Sequence, residues 1–248
     1  MNTNSEVPRP SILIITELFP SPTGHNFSGV FVVDQLRALS RYFDIHVLVP
    51  YQRSLRREAG QPELKDGVRL TGLSVHYGGF FSWTLLILSI GHRLAPALFK
   101  NTLVRSYQKG VITIKLRHWS EILHKQYHFK FVHGHETGVG DEAGPIGQKL
   151  RIPSLITLHS LAPFVQRQLD NKTWEIIINN INRVNAVITV SHLAKDSYGS
   201  LIKRPWRIVS NGYTPKNSPQ PTPAILKQFD GRVVILFVGF LIPSKRPD

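Results

Sequence analysis

The sequence predicts an α/β fold, a doubly wound parallel sheet followed by a truncated second domain. Short apolar runs alternate with segments of helical periodicity, then a proline-rich segment follows, and a last apolar run comes after it. Strand, helix and strand within about forty residues is typical of the βαβ unit. Repetition of that unit predicts an open parallel sheet with helices on both faces.

The first unit lies within residues 11–49. Ser11–Thr16 is an apolar run bounded by prolines, which predicts a buried strand. Apolar residues at helical spacing after Gly29 predict a helix, and Asp44–Val49 predicts the next strand. Further strands are expected at residues 68–75, 129–133, 154–159, 186–191 and 207–210. Further helices are expected at residues 85–123 with a break near Gly110, and at 145–150, 174–182 and 193–201.

Three segments are predicted from composition. Residues 1–212 contain the alternating elements and form the first domain. Residues 213–223 are rich in proline and poor in apolar residues, which is typical of a linker. Residues 224–248 contain one apolar strand and no following helix, so they are expected to be the incomplete start of a second domain.

Composition excludes several classes of protein. The chain has 248 residues, 30 Lys and Arg, 16 Asp and Glu, a net charge of +14 and no cysteine. Without cysteine there is no disulfide, thiolate metal site or cysteine nucleophile. The N-terminal residues lack the pattern of a secretory signal, and no apolar run reaches the about 20 residues of a spanning helix. We therefore expect a cytoplasmic protein.

Charge is unevenly distributed along the chain. Residues 67–120 contain several Lys and Arg but no acidic residue, and an apolar, aromatic run at 80–90 precedes most of those cations. Basic groups beside apolar aromatic ones suit the surface of an anionic membrane, so residues 80–117 are a candidate for peripheral contact with its inner face. A solvated face beside a buried helix explains the same pattern.

Polar residues follow several predicted strands, and in open α/β sheets ligands bind at the carboxyl ends of the strands. The candidates are Gly29, His133, His135, Glu136, His159 and Asn211. Gly29 precedes a helix, whose N-terminus attracts phosphate. His133 and His135 are two residues apart and share one side of a strand, which is possible geometry for a metal site.

The order of these segments resembles a family 4 glycosyltransferase, one of the retaining GT-B enzymes. The resemblance is carried by the opening SILIITELFPSP and SGVFVVDQLRALSRYFDIHVLVP, by FVHGH and ITLH at two strand ends, by AVITVS, by VSNG, and by VILFVGFLIPSKRPD. It extends over nearly the whole chain.

This resemblance implies a Rossmann-like N-terminal half of a GT-B fold. It implies transfer of a sugar from a nucleotide-diphosphate sugar to a hydroxyl of a glycan or lipid-linked acceptor, with retention, in polysaccharide or glycolipid synthesis. No metal or other cofactor is expected. His159 would be catalytic, near the transferring sugar, and Gly29 and Lys245 would bind the donor diphosphate. The residues implied to bind acceptor or line the cleft are His133, His135, Glu136 and Asn211.

The chain departs from the family pattern near its end. Phe240 stands where the family usually has Arg, and Ser244 where it often has Glu. Because the rest of the donor domain is not in the sequence, little or no transferase activity is expected of this chain alone.

Two other functions fit parts of the sequence. His133, His135, Glu136 and His159 are the ligand types of a metal-dependent hydrolase. The basic stretch at residues 69–130 suits a non-enzymatic binding module, although no recognised nucleic-acid module is present, and nucleic acid is not expected as a partner.

Overall fold

The computed structural model describes residues 9–17, 19, 29–49, 73–77 and 101–212. The chain divides into two units, Met1–Gly212 and Tyr213–Asp248. The predicted linker and second domain, with Lys245, lie outside the described residues, as do residues 80–100 of the candidate membrane segment.

The described strands form a seven-stranded sheet in the order β3-β2-β1-β4-β5-β6-β7, with every pair parallel. Their bounds are β1 Ser11–Thr16, β2 Asp44–Val49, β3 Leu73–Tyr77, β4 Val132–His135, β5 Ser154–Leu158, β6 Ala186–Thr189 and β7 Trp206–Ile208. The predicted parallel sheet is therefore confirmed.

Six α-helices connect these strands in the described part of the chain. They are α1 Val30–Leu39, α2 Asn101–Tyr127, α3 Ala143–Leu150, α4 Ala162–Gln166, α5 Asn171–Ile181 and α6 His192–Tyr198, with short 3-10 helices at Gly140–Glu142 and Gly199–Leu201. None of these helices is long and apolar enough to cross a membrane.

Helix α2 contradicts the predicted break at Gly110, because it is continuous through that residue. A glycine inside a helix costs about 1 kcal/mol relative to alanine. The helix tolerates this cost because its next turns bury Ile112, Leu116 and Leu123. The free energy gained by burying this face of the helix outweighs the low helix propensity of Gly110.

Helix α5 begins three residues earlier than its periodicity predicts. The Asp170 carboxylate accepts hydrogen bonds from the backbone N–H and the hydroxyl of Thr173, at 2.9 and 2.7 Å. This N-cap satisfies a donor that the first helical turn leaves unpaired. The capping residue therefore sets the start of the helix, ahead of its first buried apolar residue.

Apolar residues cover both faces of the sheet. In β1 they alternate: Ile12 and Ile14 belong to a cluster with α1, whereas Leu13 and Ile15 belong to a cluster with α2 and α3. All four are fully buried. This arrangement is what a doubly wound sheet requires, because neither face of a central parallel strand reaches water.

The strand order places three carboxyl ends together. Neighbouring residues across β1, β4 and β5 are Thr16, His135 and Thr157, which pair side by side. The direction of the strand order reverses between β1 and β4, and ligands of open α/β sheets bind at such a switch point. The topology therefore selects this edge for a site.

A buried polar network anchors the segment after β4. Glu142 accepts hydrogen bonds from Arg117 Nε at 2.9 Å, Thr113 Oγ1 at 3.0 Å and Asn180 Nδ2 at 3.1 Å. Burial raises the pKa of Glu142, neighbouring Asp141 raises it further, and Arg117 opposes both. Arg117, one of the cations in the candidate membrane segment, is thus held by an internal ion pair with Glu142.

Candidate functional site

A cavity of about 390 Å³ lies at the carboxyl ends of β1, β4 and β5. Its lining comes from the turns after those three strands, from helices α1, α4 and α5, and from the turn after α4. The lining residues are Glu17, Phe31, Glu136, Thr137, Gly138, His159, Ser160, Phe164, Val165, Gln168, Leu169 and Ile177. Two predicted site residues, Glu136 and His159, are therefore brought together at the predicted edge of the sheet.

Glu136 ties the end of β4 to the end of β5. One carboxylate oxygen accepts from the backbone N–H of His159 at 3.1 Å and from Ser160 Oγ at 3.0 Å. The other accepts from the backbone N–H and hydroxyl of Thr137, at 3.0 and 3.4 Å. Glu136 has a φ of 62°, a conformation in which its carboxylate reaches both turns. It holds the turn that carries His159.

His159 places its imidazole in the cavity wall. Its ring lies 4.4 Å from that of Phe31, measured between centroids, and its Nε2 lies 3.4 Å from His135 Nδ1. Desolvation lowers the pKa of His159, and the opposing effect of the Glu136 carboxylate does not restore it. The imidazole is therefore neutral at pH 7.

His133 and His135, predicted to line the cleft, are instead buried beneath it. Strand β4 continues through both residues, so both imidazoles point to the same covered face. Their ring centroids are 4.3 Å apart, and His133 Nε2 lies 2.8 Å from Thr157 Oγ1. Desolvation, with a smaller effect of His159, lowers the pKa of His133 to about 3. Desolvation likewise holds the pKa of His135 well below 6.5.

The three histidines therefore form a column of neutral rings that runs from the cavity into the sheet. The His135 and His159 rings are nearly parallel, at 15°, with centroids 5.7 Å apart. Within the described part of the chain, no group of three or more His, Asp and Glu side chains has the spacing to hold a metal ion. The geometry gives the metal-hydrolase alternative no support.

Gly29 occupies the predicted helix start but does not line the cavity. It precedes α1 with a φ of 84°, and its carbonyl accepts from the backbone N–H groups of Val32 and Val33. Such a φ favours glycine. Helix α1 presents Phe31 to the cavity instead. The diphosphate-binding role of Gly29 stays a prediction.

Asn211 lies away from the cavity. It is exposed and follows β7, which is separated from β5 by β6. The rule that ligands bind at strand ends does not distinguish central from edge strands until the strand order is known. Its predicted role in the cleft is not tested by this placement.

Sequence reasoning missed several lining residues. Glu17 comes directly after β1 and Ser160 comes two residues after β5, so the strand-end rule used for the other candidates finds them as well. Gly138 has a φ of 99°, and a Cβ there would lie 3.1 Å from Glu17 Oε1. Phe31 and Phe164 give no such signal, because an aromatic residue in a helix is more often part of the core.

The family model described as Glycosyltransferase Family 4 matches residues 28–217. This range contains most of the described sheet and all of the candidate site except Glu17. Among curated proteins, none is significantly similar to the chain in sequence.

Solved structures share the fold. Sucrose-phosphate synthase from Thermosynechococcus elongatus is 13% identical with a TM-score of 0.51, over 82% of this chain and 48% of that one. A UDP-glucosyltransferase from Polygonum tinctorium is 10% identical with a TM-score of 0.53, over 91% and 57%. UGT89C1 of Arabidopsis thaliana is 12% identical with a TM-score of 0.50, over 92% and 57%.

These likenesses concern the fold alone, because the identities are low. The chain spans about half the length of the proteins that it matches. Its parallel sheet and flanking helices are the Rossmann-like α/β fold of GT-B glycosyltransferases. Because the family model covers more than half of the sequence, the chain belongs to the glycosyltransferase family that this model describes.

Proposed function

We propose that the chain serves the transfer of a sugar from a nucleotide-diphosphate sugar to an acceptor hydroxyl, with retention of configuration. The observation that best supports this proposal is the neutral imidazole of His159 in the wall of a cavity at the switch point of the sheet. The family match supports the reaction class. UGT89C1, which shares the fold, is described in complex with UDP-L-rhamnose, which supports a nucleotide sugar as donor.

In the reaction, one bond to the anomeric carbon breaks and one bond to it forms. The bond to the diphosphate oxygen breaks, the acceptor oxygen bonds to the same face of that carbon, and the hydroxyl proton leaves with the diphosphate. Positive charge develops on the sugar as this happens. A neutral His159 hydrogen-bonds a sugar or acceptor hydroxyl without placing a second positive charge beside it.

The donor side is proposed from the sequence resemblance. Gly29 and Lys245 would hold the diphosphate, the first through the N-terminus of α1 and the second through its ammonium group. No metal ion or other cofactor is part of the proposal. We assign the reaction to polysaccharide or glycolipid synthesis on the same ground, and we propose the cytoplasm as its location.

The test is transfer of labelled sugar by the purified chain at micromolar concentration, where slow turnover is measurable. A panel of nucleotide sugars and alcohols is tried, and NMR of the product gives the anomeric configuration. His159→Ala is expected to lower kcat about 100-fold or more, the usual range for a positioned polar group. Leu161→Ala is the control, because Leu161 is exposed and outside the cavity lining.

Two outcomes contradict the proposal. Because little or no activity is expected of this chain alone, absence of transfer is not one of them, whereas an inverted product contradicts retention of configuration. Full activity of a folded His159→Ala variant contradicts the role assigned to His159.

A further inference from the structure

The wall of the cavity is mostly apolar. Five of its side chains come from α1, α4, α5 and the turn after α4, and they surround the space beside His159. They are Phe31, Phe164, Val165, Leu169 and Ile177. Phe164 is 45% exposed, which leaves an aromatic face open at the cavity mouth. A ligand that covers this face gains from removing apolar surface from water.

Hydrogen-bonding groups are concentrated at the strand ends. Glu136 and Ser160 are already bonded to each other, and Glu136 also binds the backbone N–H of His159. These groups therefore hold the turn together. A sugar ring needs many partners for its hydroxyls, whereas a single hydroxyl needs one or two.

Charge gives an independent restriction. Among the described residues that line the cavity there are two carboxylates, Glu17 and Glu136, and no Lys or Arg. This contrasts with a chain that carries 30 Lys and Arg and a net charge of +14. An anionic ligand here would lose water beside these two carboxylates, which is unfavourable.

We propose that the acceptor bound in this cavity is a neutral alcohol with an apolar, ring-sized body. This inference rests on the proposed transfer reaction, and for the acceptor it replaces the glycan or lipid-linked class that the resemblance implies. The volume of about 390 Å³ lies within the range of small-molecule sites, roughly 300–1,000 Å³. The body would lie against Phe31 and Phe164, and the hydroxyl would point to His159.

Binding is tested with three probes on the intact chain by titration calorimetry. 2-Naphthylmethanol is the neutral alcohol, 2-naphthoate is its anionic counterpart, and maltotriose represents a glycan. The alcohol is expected to bind at least about tenfold more tightly than the carboxylate, a difference of about 1.4 kcal/mol or more. Maltotriose is expected to show no measurable binding. Equal or tighter binding of 2-naphthoate or of maltotriose overturns the proposal.

Two variants locate the bound probe. Phe164→Ala is expected to weaken 2-naphthylmethanol binding about tenfold through lost aromatic contact. Trp119→Ala is the matched control. Trp119 is 42% exposed, a fraction similar to the 45% of Phe164, and it is not among the residues that line the cavity. Glu17→Gln is expected to improve binding of 2-naphthoate more than of the alcohol. Equal effects of the two aromatic replacements place the probe elsewhere and overturn the proposal.

The same probes in the transfer assay separate this inference from the proposed function. Binding of 2-naphthylmethanol together with transfer that inverts the configuration contradicts the proposed retaining reaction and leaves the ligand class supported. Transfer to maltotriose but not to 2-naphthylmethanol supports the reaction and contradicts the acceptor class.

Discussion

His133, His135 and His159 show how one residue type takes two positions in the same site. The outer ring faces the cavity, and the two inner rings fill space on the covered face of the sheet that an apolar side chain usually occupies. All three are neutral because burial disfavours the charged imidazolium. The inner pair also gives His159 a hydrogen-bonding partner, His135, that fixes its ring from below.

Neutral burial makes stability depend on pH in a defined direction. The pKa of His133 is about 3 in the folded chain and about 6.5 when unfolded, so the unfolded state takes up the proton first as the pH falls. The free energy of unfolding should therefore decrease below pH 6.5, by up to about 1.4 kcal/mol per pH unit for each such histidine. Urea unfolding between pH 5 and 7.5 measures this slope.

The matched variants are His133→Asn and His118→Asn. Replacing buried His133 should reduce the slope by the contribution of one histidine, and the same replacement at exposed His118 is the control. Equal slopes in His133→Asn and the unaltered chain would show that His133 is not the titrating group.

At the scale of elements, β4 and the 3-10 helix after it approach each other through two glycines. A Cβ built on Gly134 would lie 1.9 Å from the carbonyl oxygen of Gly140, and one on Gly140 would lie 2.6 Å from that of His135. Both contacts are with backbone, which cannot rotate away. The close approach keeps the segment from Glu136 to Glu142 tight against the sheet.

Gly134→Ala should therefore destabilise the chain by about 1–3 kcal/mol or more, because the backbone of one element must move. Gly110→Ala is the control, and it is expected to change the free energy of unfolding in the opposite direction. A Cβ there meets nothing within 4 Å and the residue is helical, so stabilisation by about 0.4–1 kcal/mol is expected. Urea unfolding of both variants gives the two values.

A loss of stability in Gly110→Ala would indicate a break in α2 at that residue. Unchanged stability in Gly134→Ala would contradict the tight contact between β4 and the 3-10 helix.

Element type was predictable from the sequence, and element ends were not. Continuous apolar runs between helical segments identified the strands, because a parallel strand buried on both faces has few polar residues. The ends depended on contacts remote in sequence. Strand β4 extends to His135 because β1 and β5 pair with it there, and α2 passes Gly110 because its next turns are buried.

The site was partly predictable for the same reason. The strand-end rule identified Glu136 and His159 from their positions alone. Whether His133 and His135 face the cavity or the core depends on which face α1 covers, and that is a property of the assembled sheet. The apolar wall from Phe31 and Phe164 had no sequence signal that separates it from core.

At the scale of the whole molecule, the net charge of +14 contrasts with the acidic cavity. This excess of positive charge attracts anionic partners at long range, and the attraction weakens with salt. The membrane contact predicted for residues 80–117 lies largely outside the described residues and stays a prediction.

That prediction is tested by flotation with vesicles. The chain is expected to bind phosphatidylserine-containing vesicles at low salt and to be released near 0.5 M NaCl, because exposed charges are then screened within a few Å. Vesicles of phosphatidylcholine alone are the neutral control.

Two triple variants locate the contact. Changing the basic stretch should weaken binding, and changing exposed lysines elsewhere should weaken it less. The two sets are Arg93, Lys100 and Arg105, and Lys125, Lys172 and Lys203, each residue replaced by Gln. Equal weakening by the two sets would indicate diffuse attraction without a membrane-binding segment.

The strand order also determines how the chain must fold. Strands β4 to β7 are neighbours in both sequence and space, so their pairing closes only short loops. Strand β1, in contrast, pairs with β4 across residues 17–131. Closing a loop of this length lowers the conformational entropy of the chain before the contacts between the two strands stabilise it. We expect the β4–β7 half to form early and the docking of β1 to limit the folding rate. The cavity, which needs both halves, would then be among the last parts of the molecule to assemble.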